Sequence, residues 1–199
     1  MPENLHKLFV ISSPSGGGKT SLINKVFEDS RSANFEKSIS DTSRQKRQGD
    51  LEGKDYYFLS EKDFKEKIKK EEYVEYATVF GNFYGTSKNE IKTKYNNSNL
   101  VLELDWQGAY AVKKLFDDAK LIFLVPPSLD DLKQRLIKRN LDSSESIENR
   151  LSEAKKEISK SEMYDYLVLN DDFDKAFEDL SQILFEGISP IDFNSRTSK

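Results

Sequence analysis

The chain predicts an α/β protein whose parallel sheet is covered by helices on both faces. Three observations carry that prediction. Apolar runs at 8–11, 100–105, 121–125 and 166–169 have the length and composition of buried strands. Stretches with apolar residues at helical spacing separate them, so the order alternates strand and helix. A glycine-rich turn directly follows the first run, where a parallel sheet builds its sites.

Residues 7–27 read KLFVISSPSGGGKTSLINKVF. Ser12, Ser13 and Pro14 bound the apolar run, as they would a buried parallel strand. Gly16, Gly17 and Gly18 let the backbone bend so that several N–H groups face one concavity. Leu22, Ile23, Val26 and Phe27 recur at helical spacing, so a helix starts near Lys19 and aims its N-terminus there. Strand, glycine-rich turn, Lys-Thr and helix together form the context of a P-loop. Lys19 would reach the β- and γ-phosphates of a nucleotide, and Thr20 would offer its hydroxyl to Mg²⁺. Ser13 stands where the first glycine of that motif usually falls. The plainer alternative is a flexible turn beside an amphipathic helix.

Further along, 37–42 reads as a short strand leading into the loop SRQKRQGD, and 55–59 as an aromatic strand. Ser60 with Asp63 has the pattern of a helix N-cap with a carboxylate at N3, and Phe64 and Ile68 give that helix its inner face. A strand over 73–80, a turn GNFYGTS and a polar helix over 87–95 follow. Residues 33–97 therefore form a small α+β insertion between the halves of a core at 1–32 and 98–187. The core resumes at 100–105, a strand ending in acid. Helices are expected over 107–116, from the cap Ser128 onward, over 147–158 and over 174–185, with a polar loop at 140–146. The tail 188–199 is polar and aperiodic and is expected to fray.

Composition excludes several chemistries. There is no cysteine and one histidine, His6. Thiolate metal sites, cysteine nucleophiles and a Ser-His-Asp triad are therefore not expected. A net charge of −4 gives no global basic field for a nucleic-acid backbone. No apolar run approaches the roughly 20 residues of a membrane span, and MPENLHK lacks a signal-peptide core. The expectation is a soluble cytoplasmic protein with small-molecule partners, no nucleic acid and no membrane.

Within the insertion, Arg44 and Arg47 lie three apart beside Ser40, Thr42 and Ser43, and guanidinium forks match phosphate oxygens. Taken alone they could equally be a solvated basic loop. Tyr56 in GKDYYF, Glu75 in EYVEYA, and Tyr84 with Thr86 in GNFYGTS follow. PSGGGKTS, SxTSRxxR, GKDYYF, FGNFYGTS, LDWQG, PPS and LVLNDD then occur in an order that resembles the guanylate kinase family across roughly 7–186. Ordered motifs at compatible spacings are far more specific than a P-loop alone.

The resemblance implies a P-loop NTPase core, an inserted GMP-binding lobe at 33–97 and a helical lid at about 135–157. It implies Mg²⁺-dependent transfer of the ATP γ-phosphoryl group to GMP, giving GDP and ADP, a step of purine nucleotide metabolism that recycles GMP. Ser15, Gly16, Gly17, Gly18, Lys19, Thr20 and Ser21 would take the ATP phosphates, and Asn170 would lie near the adenine. Arg44, Arg47, Tyr56 and Tyr84 would grip the GMP phosphate. Ser40, Glu75, Thr86 and Asp105 would surround the guanine, with Glu75 accepting from its N1 and N2 donors. Lys19, Arg44 and the lid arginines Arg135, Arg139 and Arg150 would carry catalysis, and Thr20 with Glu103 would hold the metal. Monomer and homodimer are both compatible.

The chain departs from the family pattern at Ser13, at Lys46 (usually proline, so a looser loop is expected), at Glu103 (often aspartate) and at Asn140 (usually glycine). Two rivals stand beside this reading. A catalytically silent module that binds a phosphorylated partner would typically lose P-loop and lid residues, but Lys19, Thr20, Arg135, Arg139 and Arg150 are present. A P-loop kinase acting on a phosphorylated sugar would not need the set Tyr56, Glu75, Tyr84 and Thr86.

Overall fold

A computed structural model of the chain describes residues 6–79, 81–138 and 144–188. Its core is a five-stranded parallel sheet of β1 (Leu8–Ser12), β2 (Phe35–Lys37), β7 (Asn99–Glu103), β8 (Lys120–Val125) and β9 (Tyr166–Leu169), in the order β2-β7-β1-β8-β9. Successive side chains of a strand point to opposite faces, and the core divides accordingly. Leu8, Val10, Leu100, Leu102, Leu121 and Phe123 pack on one face against Ile91 and Tyr95 of α3 (Lys88–Tyr95) and Ala109 and Val112 of α4 (Trp106–Leu115). Phe9, Ile11, Val101, Ile122, Leu124 and Val168 pack on the other against Leu22, Ile23 and Val26 of α1 (Lys19–Glu28) and Ala176 and Leu180 of α7 (Phe173–Ser181). This is the α/β P-loop architecture expected, with one more core strand than the apolar runs revealed.

The extra strand is β2. The single strand expected over 37–42 is two short ones in different sheets: β2 pairs with β7, whereas β3 (Asp41–Thr42) belongs to a second sheet. That sheet runs β4-β3-β6-β5, with β4 at Tyr57–Phe58, β5 at Tyr73–Val79 and β6 at Asn82–Ser87. The stretch GNFYGTS is therefore mostly a strand. Val79 pairs with Asn82, and Gly81 at φ 78° supplies the bend. Phe64, fully buried on α2 (Glu61–Lys69), stacks on Tyr73 at 4.5 Å and Phe83 at 5.3 Å, so the helix lies flat on this sheet. Ser60 caps α2 by accepting from the Asp63 N–H, as the sequence pattern requires.

The acid at the end of β7 also differs from expectation. The strand stops at Glu103, and Asp105 is instead the N-cap of α4, accepting from the Gly108 N–H at 2.8 Å. The two further helices are α5 (Leu129–Lys138), capped by Ser128, and α6 (Ser144–Ile158). The latter begins three residues earlier than its apolar pattern, inside the stretch read as a polar loop. Arg139, Asn140 and the tail beyond 188 lie outside the described residues. Among the described residues no helix is long and apolar enough to cross a membrane.

Candidate active site

The chain's reversal of strand order beside β1 opens a crevice at the carboxyl end of the sheet, where ligands of such sheets bind. Ser13 to Gly18 line it. The turn is pinned by Gly17 N–H donating to Pro14 O at 2.8 Å. Gly16 and Gly18 adopt φ of 86° and 88°, a region other residues enter at a cost. Asn170, buried at the end of β9, donates Nδ2–H to Gly17 O at 2.6 Å. A Cβ at Gly18 would stand 2.6 Å from that same nitrogen. Ser13 is buried, and its Cβ and Oγ fill the space beside Gly17, so the loop packs around the departure from glycine.

Lys19 begins α1, and its Nζ donates to Leu104 O at 3.1 Å, just past β7. Burial pushes its pKa below the ordinary lysine value, while Glu103, Glu157 and Asp105 act to keep it charged. Thr20 Oγ1 donates to Glu103 Oε1 at 2.6 Å, and Lys37 Nζ lies 2.9 Å from Oε2. Burial opposes ionisation of Glu103, yet Lys19, Lys37 and the Thr20 bond outweigh it, so its pKa lies below the usual value. The extra methylene relative to aspartate lets one carboxylate meet both Thr20 and Lys37. Ser15 and Ser21 are exposed at the rim.

Beside the loop, α5 lays Leu132 and Leu136, both fully buried, against Gly16. Arg135 on that helix donates Nη2–H to Asn170 O at 2.9 Å. Gly16, Gly18, Ser21, Arg135, Asn170 and Phe173 border an open cavity there, large enough for a planar heterocycle beside the P-loop. Arg135 and Arg150 are thus on the two helices flanking 139–143, and Arg135 already reaches the P-loop's partner Asn170.

The second sheet carries the other cluster. Asp50 Oδ2 accepts from Arg44 Nη1 at 2.8 Å and from the Arg47 N–H at 2.7 Å, so one carboxylate closes the loop that holds both arginines. That tie stands where the usual proline is replaced by Lys46. Arg44 lies over the rings of Tyr56 and Phe58, 5.5 Å from each centroid, and Tyr56 meets Tyr84 edge-on at 5.8 Å. Burial raises the Tyr56 pKa, which keeps its phenol a donor. Arg44, Tyr56 and Tyr84 are therefore brought together, while the Arg47 side chain is exposed.

Glu75 owes its direction to an irregularity no pattern revealed. Tyr73 pairs with Ser87 but Glu75 with Thr86, so β5 carries one extra residue there, a bulge. Glu75 then accepts from the Thr86 hydroxyl and N–H. Burial raises its pKa, the Thr86 bonds oppose this, and Asp105 adds to the rise. Thr86 is fully buried, and its Oγ1 lies 3.5 Å from Ser40 Oγ. A Cβ at Gly108 would come within 3.1 Å of Glu75 Cγ, so glycine there lets α4 close on β5. Ser40, Glu75, Thr86 and Asp105 thus share one pocket wall.

Sequence reasoning missed Asp50, Lys37 and Glu157. Asp50 sits in a Gly-Asp turn and looked like loop solvation. Lys37 was assigned to a strand without a partner. Glu157 has the helical spacing of an exposed charge.

Comparison with known proteins agrees with this geometry. A family model described as guanylate kinase matches residues 5–187. The guanylate kinase of Wolbachia sp. subsp. Brugia malayi is 45% identical over 184 residues, covering 92% of this chain and 93% of that protein. That of Hahella chejuensis is 47% identical over 178 residues, covering 89% and 85%. The crystal structure of guanylate kinase from Anaplasma phagocytophilum superposes with a TM-score of 0.71 at 33% identity, covering 93% of this chain and 87% of that one.

Proposed function

The chain belongs to the guanylate kinase family and is an ATP:GMP phosphotransferase; we propose that the P-loop cleft takes ATP with Mg²⁺ and the four-stranded sheet takes GMP. The observation that carries this reading is Lys19. It stands at the head of α1, facing the carboxyl ends of β1 and β7, with its charge supported by three acids. The acceptor is a phosphate oxygen already ionised near pH 7, so no general base is needed. Catalysis then rests on aligning the two nucleotides and spreading charge over fixed donors.

In this reading the amides of Gly16 to Thr20 and Lys19 cradle the β- and γ-phosphates, and Arg135, Arg139 and Arg150 close over the transferring group. Arg44 and the phenols of Tyr56 and Tyr84 bind the acceptor phosphate. Asp50 fixes Arg44 in advance, which cuts the ordering cost of that contact. Glu75 reads guanine N1 and N2, with Ser40 and Thr86 serving O6 and N7. The paired oxygens of Thr20 and Glu103 suit Mg²⁺, a hard cation that uses one or two protein oxygens and completes its shell with phosphate and water. Bound there, Mg²⁺ would neutralise charge developing between the phosphates. The lobes at 1–32 with 98–187 and at 33–97 approach to exclude water, in a protein read as cytoplasmic, with nucleotides as its partners.

An ADP-release assay with GMP, AMP and a sugar phosphate as acceptors tests the assignment. Strong turnover with GMP alone is the expected outcome. Turnover with the sugar phosphate, or none with any acceptor, would replace it with one of the rivals.

A further inference from the structure

One acid on α6 is not used by the reading above. Glu157 stands two turns beyond Arg150 and about one beyond the buried Ala154, alongside the face that α6 turns to the core. Just past the helix, Lys160 Nζ lies 5.6 Å from the Trp106 ring centroid, so this end of α6 is docked on the start of α4. The Oε2 atom of Glu157 is shut off from solvent and has no hydrogen-bond partner among the described residues. The charged and titratable groups that face it are Lys19 from the P-loop, Asp105 from the β7–α4 junction, Glu153 from its own helix and Tyr164 from the segment after α6. Lys19 is the one cation in that set.

A shielded carboxylate oxygen without a donor is costly to keep. Burial pushes the Glu157 pKa up to about 7; Lys19 pulls it down, and Asp105 and Glu153 push it further up. Such a cost is retained most readily where the group has work to do. The neighbour that gains is Lys19, which needs counter-charge in its desolvated position before a phosphate supplies it.

We propose that Glu157 is a positioning residue that stands in for the phosphates of ATP, holding the Lys19 ammonium until nucleotide arrives and taking up a proton as ATP replaces it. This rests on the assignment of Lys19 to the ATP phosphates. The exchange balances simply. Lys19 keeps its proton and turns to the β- and γ-phosphates. Glu157, now beside added negative charge and without its cation, takes one proton from solvent and returns it when the nucleotide leaves. Because Glu157 shares α6 with Arg150, the same handover links the P-loop lysine to the lid helix.

The test is calorimetric binding of a non-hydrolysable ATP analogue with Mg²⁺ to wild type and Glu157→Gln, at pH 6 and pH 8, in buffers of different ionisation enthalpy. With a pKa near 7, about one molecule in ten carries neutral Glu157 at pH 8, and binding that requires the neutral form is weakened by that fraction. The variant should therefore bind about tenfold tighter than wild type at pH 8 and equally at pH 6. Wild type should take up most of one proton at pH 8 and little at pH 6, and the variant none. Equal affinities at both pH values, or equal proton uptake in the two proteins, would overturn the proposal. Should the variant fail to fold, wild type alone decides, because proton uptake that does not rise from pH 6 to pH 8 also overturns it. A merely structural role would alter melting without moving the pH dependence of ATP affinity. Near-normal turnover by Lys19→Met would instead remove the P-loop reading itself.

Discussion

Glu75→Gln tests guanine selection most sharply. The Glu75 carboxylate is buried beside Thr86 and can only accept, while guanine alone presents N1–H and N2–H donors on the matching edge. Adenine would set a bare acceptor against it. A hydrogen bond to a charged group is worth roughly 1.5–3 kcal/mol, so the pair can favour GMP over AMP by more than a hundredfold in kcat/KM. The amide replaces one acceptor oxygen with a donor, which weakens GMP use and relieves the clash with adenine. The GMP/AMP ratio of kcat/KM, measured by coupled ADP release, should fall at least about tenfold. A pH series adds a second signature. Burial raises the Glu75 pKa, so protonation removes an acceptor as pH falls through that raised value. Wild-type kcat/KM for GMP should then decline on the acid side relative to the variant, a comparison in which the ionisation of GMP cancels. If both rates drop together at constant ratio, Glu75 is structural and the base is read by Asp105 and Thr86.

Three other perturbations follow from specific contacts. Gly18→Ala forces a side chain into φ 88° and against Asn170 Nδ2, so the melting temperature should fall by roughly 2–8 °C and KM for ATP should rise; unchanged melting would mean the loop adapts freely. Asp50→Ala releases the tie on Arg44 and Arg47, so KM for GMP should rise by about tenfold with kcat changed less, and an unaffected KM would count against preorganisation of that loop. The raised pKa of Glu157 means the folded state binds the extra proton, so this group costs stability as pH rises from its ordinary value of 4.5 and the cost is complete above about 7. Discounted for partial exposure, that is of order 1 kcal/mol, and Glu157→Gln should melt a few degrees higher than wild type at pH 8 but not at pH 4.

Much of the molecule was legible because local chemistry and fold agree. The P-loop could be read from its glycines, Lys-Thr pair and flanking periodicities, and β1 and α1 fall where those signals put them. The caps Ser60 and Ser128 were equally plain, since a hydroxyl three residues before a carboxylate has few other uses. The misreadings come from contacts distant in sequence. Phe35–Lys37 is too short to announce a strand, and only pairing with β7 makes it one. Tyr84 and Thr86 looked like turn residues because Gly81, Asn82 and Gly85 dominate their window, although one hairpin bend suffices. The bulge that turns Glu75 to Thr86, the Asp50 tie and the burial of Glu157 depend on side chains arriving from elsewhere, which no spacing rule reports.

The most direct test of the account is single-turnover and steady-state kinetics of Lys19→Met, with GMP binding measured in parallel by calorimetry. Lys19 is assigned to charge that moves between the β- and γ-phosphates in the transition state. Its loss should lower kcat by on the order of 10²-fold or more, the scale of one preorganised charge contact. GMP affinity should stay within about twofold, because Arg44, Tyr56, Tyr84 and Glu75 sit on the other sheet. Near-normal turnover with methionine at position 19 would contradict the assignment of this loop to the transferring phosphates.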